Sequence, residues 1–240
     1  MSVEKLLNKE VDTSILKDAT MTPNGALFKT TQKGFLPELM QKMYDDRVKF
    51  KQLMIEAQKD YEKTKDPKLQ KTIAKFNNIQ MAKKISLNSA YGAIGNVWFR
   101  YYNLLVAEAI TTSGQLAIRY IEHTLNQYLN KILDTRGEDY IIASDTDSVY
   151  ITFDNLVSKV FVSDTDDNKI VEFLDRVAKE KLEPFIDKSY QDLAEYVNAY
   201  EQKMQMKREV IADKGIWVAK KRYILNAHDV EGVRYKEPKL

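Results

Sequence analysis

The sequence predicts an α+β fold: an antiparallel sheet backed by helices, with an antiparallel pair of helices projecting from it. Three observations carry this. Apolar residues at Leu39, Met40, Met43, Tyr44, Phe50, Leu53, Met54, Ala57 and Tyr61 keep the 3,4 spacing of one long amphipathic helix. Asp66-Pro67 is an N-cap and first-turn pair, so a second helix starts at once and must run back beside the first. Short β-branched and aromatic runs appear after Gly137, as a hairpin and then, beyond one more helical stretch, as a series of strands, an order that argues for an antiparallel sheet with helices on one face.

Each element follows in order. Residues 1–34 read as an irregular connector, with turn signals at Pro23-Asn24-Gly25 and Gly34 and a short hairpin around Ala26 to Thr30. The second helix passes through Ile73, Phe76, Ile79, Lys84 and Asn88. A third is expected over Leu104 to Ile132, closed by Gly137. YIIAS and SVYITF flank Asp145-Thr146-Asp147 and predict a tight hairpin with aspartates at its tip. A further helical stretch is expected from Asn168 to Tyr200, opened by the acidic segment Ser163 to Asp167 and interrupted at Pro184. KREVIAD, GIWVAKKRYILNA and GVRYKE complete the chain as strands.

Composition narrows the function. The 240 residues include no cysteine, which excludes a disulfide framework and thiolate metal sites and fits a reducing, cytoplasmic setting. No apolar run approaches the roughly 20 residues that span a bilayer, and the N-terminus lacks a signal-peptide core, so no membrane role is expected. With 37 basic and 35 acidic residues the net charge is only +2, so phosphate recognition must come from local clusters.

Four such clusters stand out. Asp145 and Asp147 put two hard oxygen donors side by side, a pattern suited to Mg²⁺ or Mn²⁺; the plainer alternative is that they accept backbone hydrogen bonds within their turn. Lys84, Asn88 and Tyr91, at i, i+4 and i+7, share a helix face able to grip phosphate, sugar and base, or serve as a solvated surface whose tyrosine reaches the core. Arg47 sits on the apolar stripe of the first helix and needs an anionic partner: Asp45, Asp46, another structural salt bridge, or a polyanion shared with Lys51 one turn on. In KKRY, strand alternation sets Lys221 and Tyr223 on one face and Lys220 and Arg222 on the other, for DNA contact or for edge protection. His123 and His228 lack metal-ligand spacing, and Trp98 and Trp217 read as core residues.

IASDTDSVY closely resembles the YxDTDS motif of family B DNA polymerases, with Ala143 where tyrosine is usual, and KKISLNSAYGAIGNVWFRYY resembles the family's KxxxNSxYG signature. KKRY resembles its KxY motif, and Arg47 and Lys51 match the arginine and lysine that hold the β- and γ-phosphates. The resemblance covers nearly the whole chain from Pro23 and is closest to the tailed-bacteriophage branch. It implies a palm connector over 1–34, a fingers helical pair over 35–95 and a palm with the catalytic hairpin over 96–240.

The same resemblance implies the chemistry: dNTP addition to a primer 3′-hydroxyl by two-metal phosphoryl transfer. Asp147 and Asp145 would be the catalytic metal ligands for two Mg²⁺ ions, with Mn²⁺ an alternative and Glu209 of KREVIAD an accessory carboxylate. Lys84, Arg47 and Lys51 would hold the triphosphate, Asn88 would support the face, Tyr91 would pack near the nascent base pair, and Lys221 and Tyr223 would contact primer-template DNA. The family's DxxSLYPS segment, exonuclease and thumb are not found. This predicts an inactive chain unless a second polypeptide or further domains supply the other aspartate. A non-catalytic nucleotide- or nucleic-acid-binding module and a structural helical-pair protein are the competing readings.

Overall fold

Asp66 accepts a hydrogen bond from the Lys68 amide at 2.9 Å, and that cap starts the element around which half of the molecule is built. A computed structural model describes residues 1–162, 165–219 and 221–239. The architecture is α+β, and the chain divides into two units, Met1–Thr31 with Glu108–Arg208 and Gln32–Ala107 with Glu209–Leu240.

In the first unit, α1 (Val3–Leu7) leads into a small hairpin of β1 (Ala19–Met21) and β2 (Leu27–Lys29). The long α4 (Leu104–Ile132) enters this unit at Glu108 and supports the hairpin of β3 (Ile141–Asp145) and β4 (Ser148–Ile151). α5 (Asp154–Val160), α6 (Asp167–Val177) and α7 (Glu183–Tyr196) follow. Leu116, Ile121, Leu125 and Leu129 of α4 pack with Tyr140 and Ile141 at the start of β3 and with Ile186, Tyr190 and Leu193 of α7. Asn126 fixes β3 against the helix by accepting the Tyr140 amide at 2.9 Å, and Tyr140 meets the Thr135 hydroxyl at 2.9 Å.

The second unit holds α2 (Phe35–Thr64) and α3 (Pro67–Ile94), antiparallel across the tight turn at Lys65 and Asp66. Gln70 donates to the Tyr61 hydroxyl at 2.7 Å, and Lys83 bonds Asp46 at 2.8 Å, so one register is kept along the pair. The meander of β5 (Val210–Ala219), β6 (Arg222–Val230) and β7 (Val233–Lys239) completes this unit. Val233 packs with Met54 and Ile55, flanked by Ile73, Phe76 and Tyr235.

Several expectations are corrected. GIWVAKKRYILNA is two strands, because Lys221 adopts φ +61° in the turn closed by the pair Ala219 and Arg222; Lys220 lies outside the described residues. The interruption expected at Pro184 takes the form of a π-helical turn at Ala178–Leu182 just before it, the backbone staying helical into α7. α4 ends at Ile132, with Asp134 at φ +51°, and Gly137 belongs to the turn beyond. Ser163 and Asp164 of the expected acidic cap lie outside the described residues, and Asp166 caps α6 by accepting the Asn168 amide at 3.1 Å. Trp98 is 91% exposed, so it is not a core residue. No helix among the described residues is long and apolar enough to cross a membrane.

Candidate active site

The aspartate pair occupies the tip of the β3–β4 hairpin, where the partners Asp145 and Ser148 close a loop of Thr146 and Asp147. The Asp147 amide donates to the Asp145 carbonyl at 2.6 Å while Thr146 sits at φ +55°, which makes a γ-turn. A β-branched residue with positive φ is an outlier that stores roughly 1–3 kcal/mol, and such strain gathers at functional sites. The Asp145 carboxylate accepts the Thr146 hydroxyl at 2.9 Å, and the Ser148 hydroxyl bonds the Asp145 carbonyl at 3.1 Å. Neither carboxylate takes a turn amide among the described residues, so the turn-capping alternative fails.

Asp147 is exposed and Asp145 half-buried. Tyr190 of α7 is buried, and that burial, with the charge of nearby Asp147 adding to it, pushes the phenol up to about 12. The hairpin over residues 141–151 itself carries no lysine or arginine beside the two carboxylates. Such a pair suits Mg²⁺, which is commonly held by one or two carboxylates plus phosphate oxygens. No group of three or more His, Cys, Asp or Glu able to hold a metal occurs among the described residues.

The cationic residues lie in the second unit. Arg47 is half-buried on α2, and its Nε is buried without a hydrogen-bond partner among the described residues. Both candidate acids are otherwise engaged: Asp45 accepts Gln41 at 2.8 Å and Asp46 pairs with Lys83. The Lys83 hydrogen bond holds Asp46 below the usual carboxylate range. Arg47 is the next residue after Asp46 on α2 and Lys84 the next after Lys83 on α3. Lys84, Asn88 and Tyr91 lie along an unbroken α3 and are all exposed, Tyr91 by 45%, so the tyrosine is not drawn into the core. Lys51 is paired with Glu231.

Glu209 precedes β5 and is exposed, its carbonyl accepting the Glu231 amide at 2.6 Å. Tyr223 stands opposite Trp217, the rings 6.4 Å apart, whereas Lys221 occupies the turn and does not alternate with it on one strand. Sequence reasoning missed Thr146, Tyr190 and Glu231. Of these only Glu231 had a signal, as the first residue of a Glu-Gly pair between strand-like runs.

The chain belongs to DNA polymerase family B, whose model matches residues 1–236. It is 37% identical to the DNA-directed DNA polymerase of Escherichia phage RB69, over 91% of this chain and 30% of that polymerase. With the DNA-directed DNA polymerase of Enterobacteria phage T4 it is 46% identical, over 68% of this chain and 19% of the other. The DNA polymerase delta catalytic subunit of Arabidopsis thaliana is 33% identical over 56% of this chain and 12% of that subunit. The chain thus spans less than a third of each of these relatives.

Proposed function

We propose that this chain forms the fingers, over 35–95, and the catalytic palm, over 1–34 and 96–240, of a DNA-directed DNA polymerase that adds dNTPs to a primer 3′-hydroxyl in the cytoplasm. The observation that carries the reading is the strained turn that presents Asp145 and Asp147 without cationic neighbours on the hairpin, in a chain of this family. Asp147 and Asp145, with Glu209 as accessory, would hold Mg²⁺ or Mn²⁺. Two bound ions would supply activation of the primer hydroxyl and charge stabilisation on the triphosphate.

The chain's own residues do the rest. Arg47, Lys51 and Lys84 bind the triphosphate and neutralise charge developing on the leaving pyrophosphate, which is electrostatic catalysis. Asn88 supports that face and Tyr91 packs near the nascent base pair. Lys221 and Tyr223 contact the primer-template backbone, now as a turn cation and a strand aromatic. Further polymerase segments, in the same polypeptide or in a partner, would supply another carboxylate, the thumb and the exonuclease.

Titrating the chain with Mg²⁺ and a deoxynucleoside triphosphate while following amide shifts tests this reading. Shifts at Asp147 with metal and at Lys84 with nucleotide are expected; no response to either ligand would overturn it.

A further inference from the structure

Of the three proposed triphosphate cations, Lys51 alone is held in an ion pair among the described residues, with the carboxylate of Glu231. Both side chains are partly shielded, at 31% and 23% exposure. The contact comes from a fixed element. Glu231 and Gly232 form the turn between β6 and β7, closed by the pair Val230 and Val233, with φ values of +52° and +81°. Two left-handed residues in a two-residue loop are the mark of a type I′ turn, which favours Asn-Gly and disfavours glutamate at its first position. The Glu231 amide is tied to the Glu209 carbonyl, and Val233 is buried against Met54 and Ile55. Met54 and Ile55 stand three and four residues beyond Lys51 on α2, on the same face. The hairpin is thus anchored where it delivers a carboxylate to this lysine.

We propose that Glu231 is an affinity-determining residue for the incoming triphosphate, occupying Lys51 until the nucleotide displaces it. The inference rests on the triphosphate role of Lys51 proposed above. A carboxylate carries a single charge, so a polyphosphate competes for the ammonium more strongly than it does. The fraction of molecules in which Lys51 is released scales the apparent affinity of the cradle.

Isothermal titration of inorganic tripolyphosphate into the 240-residue chain tests this in four forms: unaltered, Glu231→Asn, Lys51→Gln and the double variant. Asparagine suits the turn, so the hairpin is retained while the carboxylate is removed. Glu231→Asn is expected to bind about threefold to tenfold more tightly, as a partly shielded ion pair is relinquished. That gain should vanish in the Lys51→Gln background, which a merely structural role for Glu231 would not require. Tripolyphosphate binding that is unchanged by Glu231→Asn, or a gain that persists without Lys51, overturns the role of Glu231 and leaves the cradle standing. No binding by any form, Glu231→Asn included, overturns both.

Discussion

The amide of Asp147 reaches back to the carbonyl of Asp145 across 2.6 Å, and Thr146 between them is forced to φ +55°. On a regular strand Asp145 and Asp147, two residues apart, would share a face with their side chains about 6–7 Å apart. The γ-turn instead fixes the backbone between the carboxylates, and the Thr146 hydroxyl holds the first of them.

Glycine at position 146 removes the left-handed strain and keeps the turn. We expect Thr146→Gly to be neutral to about 1 kcal/mol stabilising in urea denaturation, because relief of strain slightly exceeds the roughly 0.5–1 kcal/mol chain-entropy cost of glycine. A clear loss of stability would show that the turn is not strained.

Tyr190 has its pKa raised to about 12, by burial first and by the charge of Asp147 second. A phenol whose folded pKa exceeds its unfolded value of ~10 contributes stability that is complete below pH ~10 and is lost as pH rises towards 12. Tyr190→Phe should flatten that alkaline decline. Asp147→Asn should lower the tyrosine's titration midpoint, as read by ultraviolet difference spectra; an unmoved midpoint would separate the two groups.

Arg208 is the buried counterpart of Asp175, which also accepts Lys179 at 2.7 Å. Burial pushes the Asp175 carboxyl up, but the hydrogen bonds from Lys179 and Arg208 prevail and hold it below the ordinary range. Its contribution is therefore present above pH ~4 and lost as pH falls through the lowered value. Asp175→Asn removes one carboxylate from a guanidinium only 9% exposed and should cost about 3 kcal/mol in thermal or chemical denaturation. A cost under about 1 kcal/mol would place this pair with ordinary surface bridges.

Gly215 on β5 lies beneath the Trp217 ring, and a Cβ there would come within 2.7 Å of it and 2.8 Å of Leu225. Gly215→Ala should destabilise the β5–β6 pairing by about 1–3 kcal/mol, and adding Trp217→Ala should return part of that loss. Simple additivity of the two changes would contradict the packing.

Much of this was legible in the sequence because local signals agreed with the final packing. The spacing from Leu39 to Tyr61 and the Asp66-Pro67 cap locate α2 and α3, and the runs around Asp145 to Asp147 locate β3 and β4. Apart from the Glu231-Gly232 turn, what was missed has no local signature. The turn at Lys221 uses neither glycine, proline nor asparagine at its left-handed position, so the residues read as one continuous strand. Tyr190 looks like any periodic apolar residue of a helix, and only folding sets it near Asp147. The Lys51 partner is likewise a long-range contact, and Arg47 could be read as needing an anion without revealing that Asp45 and Asp46 are both taken.

The central claim is that Asp147 serves polymerase chemistry, and primer extension measures it most directly. The chain would be combined with the remaining polymerase segments, and Asp147→Ala compared with the unaltered form. Loss of a metal-holding carboxylate removes several kcal/mol of transition-state stabilisation, so extension should fall by at least about a hundredfold. Extension within a few-fold of the unaltered rate would contradict the account.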